Sequence, residues 1–315
     1  MRQLILVVSS KRSRRSRFSC SATLFTKGFG VWLVGCHDQP HPKISFFLSL
    51  PFGGLGFDAI IFFVKESRSF RVEAVVLRHA DWGEADRILT LYTRERGKVR
   101  AIAKGARRIR SRKAGHLEPF TRVTLQLAKG RDLLIVTQAE TLDAYLALGS
   151  NLVKTGYASY VIELLDRFTY EDENENNAIF RLLTEILSRI AGEMDPWLAI
   201  RYYEVRLLDL LGFRPHLFEC ANCGEEIRAV DQFFSPAAGG VLCPKCGKGL
   251  PGVWSVSVEA LKVFRHLQRS TYSEAQRARP DPEVRNELET LMQKYLTYLL
   301  ERGLNSPGFI KQIRG

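Results

Sequence analysis

The chain has 315 residues, of which 45% are hydrophobic and 25% charged. This composition excludes an intrinsically disordered chain, and the length is enough for two or more domains. The net charge of +12 suggests a polyanionic partner, but residues 1–70 hold ten basic and three acidic residues and so carry +7 of it. The other 245 residues, with 36 basic and 31 acidic, have an ordinary balance, so a basic signal there reflects local clustering.

The first 63 residues differ from the rest in their pattern. Residues 1–18 place an apolar run before the positive charges, the reverse of a secretory signal, and no small-residue cleavage site follows. Residues 44–64 are long enough to span a membrane, but Asp58, a proline and three glycines argue against a span. We therefore predict a non-native or disordered leader over 1–63, produced by a start assigned upstream of Val64, in a cytoplasmic chain with no membrane segment.

Short strands follow this leader. Their signals are β-branched residues in period-two alternation, separated by turn sequences such as ADWGEA and Arg96-Gly97. The predicted strands are residues 72–79, 86–93, 98–104, 122–127 and 133–140. Five short strands in about seventy residues, with a longer connection between the third and fourth, are typical of an OB-fold barrel. We predict that this domain covers residues 64–142.

A dense basic sequence, KVRAIAKGARRIRSRKAG at 98–115, covers the third strand and the loop that follows it. It holds eight Lys or Arg and no Asp or Glu. Val99, Ala101 and Ala103 alternate with the first charges, so one face of this strand is assigned to the barrel core and the other is charged. Because strands 2 and 3 of an OB-fold form its ligand face, the cluster lies on that face and in the adjoining loop.

Such a cluster suits a nucleic acid, because each Lys or Arg that neutralises a phosphate releases counterions and contributes salt-sensitive binding. The alternative is a solvated surface, which the absence of acidic neighbours disfavours. An aromatic side chain can add base stacking, and among Trp82, Tyr92 and Phe120 we select Tyr92 for this role. The predicted DNA contacts are Lys98, Arg100, Lys104, Arg107, Arg108, Arg110, Arg112, Lys113 and Tyr92.

From residue 157 the apolar positions follow helical spacing. The predicted helices are residues 157–168, 179–190, 196–211 and 284–299. The third is apolar nearly all round and ends just before Gly212, as expected of a central buried helix. The acidic run at 171–177 is assigned to a solvated loop and cap rather than to metal binding. The fold class is therefore α+β multidomain: the five-stranded OB-fold barrel followed by an α-helical domain over 143–315.

Two CxxC pairs, CANC and CPKC, lie in this helical domain with nineteen residues between them. Thiolates two residues apart on tight turns can close a tetrahedral site, and the spacing fits structural zinc. A redox pair is the alternative, but it needs a thioredoxin-like βαβ setting that the sequence lacks. We predict one structural Zn²⁺ per chain, in a module inserted at about residues 218–250. Its ligands are Cys220, Cys223, Cys243 and Cys246.

Four sequences in the chain carry a family resemblance: GEADRILTLYTRERGKVRAIAKGARR at 83–108, SRKAGHLEPFTRV at 111–123, LLGFRPHLFECANCG at 210–224 and FFSPAAGGVLCPKCG at 233–247. They resemble the sequences of the bacterial RecO family of DNA repair proteins. The likeness covers residues 65–302 and unites the barrel, the helical body and the four-cysteine module.

This resemblance implies a non-enzymatic recombination mediator, associated with the nucleoid, that binds single- and double-stranded DNA and anneals complementary strands. It also implies partners: RecR, RecF and single-strand DNA-binding protein (SSB), with which such a mediator loads RecA. A DNA-processing enzyme is disfavoured because the chain has no GxxxxGK[ST], HExxH or GxSxG motif. An RNA-binding OB-fold protein with a zinc knuckle stays open, since single-stranded RNA and DNA offer the same phosphates and stackable bases.

Overall fold

A computed structural model describes residues 4–8, 20–26, 31–34, 69–171 and 177–314. They belong to two units, Met1–Arg68 and Ser69–Gly315. The described residues of the first unit form antiparallel strands in sequence order: β1 (Leu4–Val8), β2 (Cys20–Thr26) and β3 (Val31–Val34).

These three strands lie within residues 1–63, where we predicted no native structure; their β-branched and aromatic residues suit strand conformation. The stretch 44–64 lies outside the described residues, and the start at Val64 stays a prediction. Within the described parts of the chain, no helix is both long and apolar enough to cross a membrane.

The second unit begins with a closed five-stranded barrel, which confirms the predicted OB-fold. Its strands are β4 (Ser69–Trp82), β5 (Asp86–Thr93), β6 (Gly97–Ala103), β7 (Arg122–Ala128) and β8 (Leu134–Asp143). Their order around the barrel is β4-β5-β6-β8-β7, and β6 pairs with β8 in parallel whereas the other neighbours are antiparallel.

Strand β4 is longer than the predicted 72–79 because it closes the barrel on two sides. Its first half, Ser69 to Val75, pairs with β7, and its second half, Ala74 to Trp82, pairs with β5. A register shift between Val76 and Arg78 bends the strand between these two partners. Period-two alternation within one strand cannot reveal such a double partnership.

The barrel interior is apolar and closely packed. Val99, Ala101 and Ala103 of β6 are buried in it, as the alternation predicted. Small side chains at the last two positions leave room for the leucines of β5 and β7 across the barrel. Ala106 and Leu117, at the two ends of the connection between β6 and β7, also lie in this core.

Among the described residues, the helical body contains all four predicted helices together with additional ones. The predicted ones are α2 (Leu152–Phe168), α3 (Asn177–Gly192), α4 (Trp197–Leu210) and α8 (Pro282–Leu300). The additional ones are α1 (Leu146–Ser150), α6 (Val258–Arg269), α7 (Tyr272–Ala275) and α9 (Ser306–Arg314). Between α4 and α6 lie the one-turn α5 (Pro244–Gly247) and a sheet of order β10-β9-β11 formed by β9 (Gln232–Ser235), β10 (Gly240–Leu242) and β11 (Trp254–Val256).

Helix α4 is the central buried helix that its sequence predicted. Its buried positions include two charged residues, Arg201 and Glu204, whose side chains pair at 2.8 Å. The Tyr160 hydroxyl of α2 donates a second hydrogen bond to Glu204. Burial raises the pKa of Glu204 to about 7, although Arg201 and this hydroxyl lower it.

The barrel and the helical body share one core. Val75 and Leu77 of β4 and Tyr92 of β5 are buried against residues of the helices rather than inside the barrel. Around these three residues, the outer face of the two strands is therefore covered by the helical body.

Candidate nucleic-acid interface and metal centre

The loop that follows β6 is held at its base. Gly105 has a positive φ of 66°, which favours glycine, and its N–H donates to Asp86 Oδ1 at 2.7 Å. The Arg107 N–H donates to the Ala85 carbonyl at 2.9 Å. Together with the buried Ala106, these contacts fix the start of the loop against the turn between β4 and β5.

Arg107 fastens the same two segments through its side chain. Its guanidinium lies 3.2 Å from Asp81 Oδ2 and donates to the carbonyls of Gly83 at 3.3 Å and Glu84 at 3.4 Å. We predicted Arg107 as a DNA contact, but most of its donors serve the β4–β5 turn. Its main role is therefore to shape the loop.

Four of the predicted basic residues extend from this loop into solvent. Lys104, Arg108, Arg110 and Arg112 are exposed, and the structure gives them no ion pair within the described residues. Ile109 lies among them and is fully exposed. Sequence reasoning missed this isoleucine, although an apolar residue inside a charge cluster is itself a signal. We name Lys104, Arg108, Arg110 and Arg112 the free cations of the loop.

Lys98, one of the predicted DNA contacts, is bound by the end of helix α2. Its ammonium donates to the Asp166 carbonyl at 2.7 Å and the Thr169 carbonyl at 3.1 Å, and pairs with Asp166 Oδ1 at 2.5 Å. Only 11% of the side chain is exposed. Because these carbonyls belong to the C-terminal end of α2, Lys98 caps that helix and joins it to the barrel.

Two other predicted contacts are partly occupied. Lys113 donates to the Val136 carbonyl at 3.1 Å and is half-buried. Arg100 is exposed on β6 and pairs with Glu171 at 3.7 Å. Neither interaction excludes a phosphate contact, but each one competes with it.

Tyr92, the residue predicted to stack on a base, is buried. It is 2% exposed and lies in the core shared with the helices, so its ring is not open to a nucleic-acid base. Of the three aromatic candidates, Trp82, which ends β4, is the most exposed at 59%. Trp82 adjoins the turn that Arg107 holds. The sequence offered both aromatics, and only the packing of β5 against the helices distinguishes them.

The four cysteines converge, as their spacing predicted. Their sulfur atoms all lie within 4.8 Å of one another, so within the described residues they form a cluster able to hold a metal ion. Cys220 and Cys223 flank a turn in which the Gly224 N–H bonds to the Cys220 carbonyl at 2.9 Å. Cys243 precedes α5 and Cys246 lies within it. Two turns that are distant in sequence thus face each other across one cluster.

The donor set suits a soft divalent metal. The backbone N–H of Cys243 lies 3.3 Å from the Cys220 sulfur, and the side-chain amide of Asn222 donates to the Cys246 sulfur at 3.4 Å. Burial raises the pKa of the Cys220 thiol. Hydrogen bonds from the backbone N–H groups of Cys223, Cys243 and Asn222 together lower it by more than burial raises it, so the pKa falls to about 6. A thiol that ionises so easily is prepared for metal ligation.

The glycines after each pair have different roles. Gly224 has a positive φ of 73°, which suits the tight turn after Cys223. At Gly247 the reason is space, since a Cβ there would approach Phe233 Cβ within 2.5 Å. The module packs α5 directly on β9 in consequence.

This architecture defines an OB-fold protein with an exposed cationic loop and a four-cysteine metal module set in a helical body. Residues 68–145 match the family model described as Recombination protein O N terminal, and residues 149–307 match Recombination protein O C terminal. The chain therefore belongs to the RecO family of DNA repair proteins.

Relatives named DNA repair protein RecO agree with this assignment over most of their length. The chain is 41% identical over 247 residues to that of Roseiflexus sp. (strain RS-1), covering 78% of this chain and 87% of the relative. It is 36% identical over 239 residues to that of Dehalococcoides mccartyi, with coverages of 76% and 94%. For Nocardioides sp. the identity is 39% over 249 residues, with coverages of 77% and 99%.

Proposed function

We propose that this protein is a non-enzymatic recombination mediator that binds single- and double-stranded DNA and anneals complementary strands. In this proposal it works with RecR, RecF and SSB to load RecA, in the cytoplasm at the nucleoid. The observation that carries the proposal is the set of free cations on the loop after β6. Four exposed charges with no ion pair among the described residues, on the loop that follows barrel strand β6, favour a phosphate backbone as their partner.

Annealing requires that a strand be held by its backbone while its bases stay available for pairing. Cations that contact phosphates meet this requirement because they read no sequence. Trp82 adds an exposed indole next to the loop, on which one base of a single strand can stack. We propose that Trp82 takes the stacking role that the sequence had assigned to Tyr92.

For the metal centre we propose one structural Zn²⁺ held by Cys220, Cys223, Cys243 and Cys246. Four thiolates complete a tetrahedral shell and leave no position for a reacting water, so the ion supplies cross-linking rather than chemistry. It would tie the turn that carries the first cysteine pair to helix α5. The DNA-binding loop is on a different part of the chain, so the two sites are separable by mutation.

The test is a strand-annealing assay with two complementary labelled oligonucleotides, combined with equilibrium binding across a salt series. Arg108→Ala with Arg110→Ala should slow annealing and weaken binding to all sequences alike. For each phosphate that is no longer neutralised, the slope of log affinity against log salt should become shallower by about 0.7 on a single strand and about 0.9 on a duplex. Trp82→Ala should weaken single-strand binding by about 1–3 kcal/mol, with little change in the slope.

The matched control is Arg71→Ala, an exposed barrel arginine paired with Glu140 at 3.8 Å on the β4–β7 side. If the loop variant and this control anneal and bind like the unmodified protein, the loop is solvated surface and the proposal is wrong. Competition between matched DNA and RNA strands tests the alternative that the chain is an RNA-binding OB-fold protein, because such a protein would prefer the RNA strand.

A further inference from the structure

A second cationic site lies on β6, away from the loop of free cations. It is a cleft of about 250 Å³ between the β5–β6 turn, β6 itself and the β7–β8 turn. Arg96, Arg100, Lys129 and Arg131 line this cleft. Of these only Arg100 belongs to the basic stretch at 98–115, so the cluster forms through folding and is not visible as a run of charges.

The fold holds these cations in place. A Cβ on Gly130 would come within 2.1 Å of the Leu133 carbonyl oxygen, so the β7–β8 turn is tight and requires glycine between Lys129 and Arg131. Arg96 lies over the Phe70 ring, 3.9 Å from its centroid. The β7–β8 turn is the connection between the fourth and fifth barrel strands, which in OB-folds flanks the ligand face.

Among the described residues, four cations and two carboxylates line the cleft. Lys129 and Arg131 are exposed, and the structure records no ion pair for them among the residues it describes. The acidic lining residues are Asp132 and Glu171. Glu171 is bound there: its backbone forms a bridge with Lys98 of β6, and its carboxylate lies 3.7 Å from Arg100 Nε. A carboxylate thus occupies one anion position of a basic cleft.

We propose that this cleft binds backbone phosphates of a single DNA strand, and that Glu171 is the anion which the phosphate displaces from Arg100. The inference deepens the proposed function and rests on it. In the free protein Glu171 pairs with Arg100 and so competes with other anions for this cation. A strand carries several phosphates and can engage Lys129 and Arg131 at the same time, so it competes with a single carboxylate.

The first experiment measures binding of an oligothymidylate of about 16 nucleotides, long enough for one OB-fold, across a salt series. Lys129→Ala with Arg131→Ala should weaken binding and make the salt slope shallower by about 1.4, the value for two single-strand contacts. The thermal melting temperature of this double variant should be unchanged, because both side chains are exposed. If the variant is folded and its affinity and salt slope are unchanged, the proposal that the cleft binds backbone phosphates is wrong.

The loop variant keeps the two proposals distinguishable. If Arg108→Ala with Arg110→Ala weakens binding while Lys129→Ala with Arg131→Ala does not, the proposal that the cleft binds DNA is wrong and the proposed function stands. If the unmodified chain does not bind the oligonucleotide at all, both are wrong. If both variants weaken binding and their effects on log affinity add, the strand contacts two independent sites, as proposed.

The second experiment tests Glu171 as the displaced anion. Glu171→Gln should tighten oligothymidylate binding by about 1.5- to 5-fold, the range for releasing one exposed ion pair. The matched control is Glu140→Gln, which removes a carboxylate from a similar exposed pair with Arg71, 3.8 Å apart.

The gain from Glu171→Gln should vanish in an Arg100→Ala background, because no cation is then released. Equal effects of Glu171→Gln and Glu140→Gln would show only a change in net charge and would overturn the role of Glu171. A gain that persists without Arg100 would overturn it as well.

Discussion

The metal module and the basic stretch at 98–115 are both dense clusters of one residue chemistry, yet the structure treats them differently. All four cysteines of the module converge on one point, within 4.8 Å. The eight cations divide: Lys98 caps a helix, Arg107 shapes a turn, Arg100 and Lys113 each have one partner, and the four free cations of the loop face solvent. Cysteine spacing defines a site because all ligands must meet one ion, whereas a charge run puts no such geometric demand on its members.

The largest effect is expected from a substitution that removes one cysteine ligand of the metal module. Cys223→Ser should release the metal and destabilise the helical body, because structural zinc contributes binding free energy of about 10–16 kcal/mol in small zinc-finger peptides. Metal analysis and thermal melting, with and without a chelator, measure this. Asn222→Ala is the control, since it removes a donor to the Cys246 sulfur but no ligand. Protein purified under reducing conditions that contains no zinc would contradict the assignment.

The next effect separates Lys98 from the cations beside it. Lys98→Met should lower the free energy of unfolding by about 2 kcal/mol, because it removes the closer of the two cations that pair with the mostly buried Asp166 carboxylate and leaves only the exposed Arg78, 3.5 Å away. Denaturant unfolding measures the decrease. The salt slope of DNA binding should not change, since the ammonium faces α2. A stable variant with a shallower salt slope would return Lys98 to the DNA interface.

The smallest effect compares two adjacent arginines. Arg107→Lys should cost about 0.5–1 kcal/mol of stability, because a lysine cannot reach Asp81 and two carbonyls at once. Arg108→Lys should match the unmodified protein in both stability and DNA binding, since it keeps the charge in solvent. Denaturant unfolding of the two variants measures the difference in stability. Equal stabilities would mean that Arg107, like the free cations of the loop, does not stabilise the fold.

Local pattern predicted the barrel, four helices and the cysteine cluster because each depends on a period or a spacing within a short segment. Val99, Ala101 and Ala103 were assigned to the core from alternation alone, and they are buried there. The length of β4 was missed because it depends on pairing with two strands.

The individual site residues were harder because their partners are distant in sequence. Lys98 contacts carbonyls 68 and 71 residues further along the chain. Tyr92 is buried by helices whose position no nearby residue encodes. Trp82 and the cationic cleft were missed for the same reason: exposure and convergence are properties of the packed molecule.

The contact of Lys98 with the end of α2 also limits how the molecule can move. One strand, β6, carries Arg100 and leads directly into the loop of free cations, and the same strand is fastened to the helical body through Lys98. A strand of DNA held by the barrel would therefore have a fixed orientation relative to the helices. A protein docked on the helical body would meet that DNA at a constant angle, without the swivel that a linker between the two parts would allow.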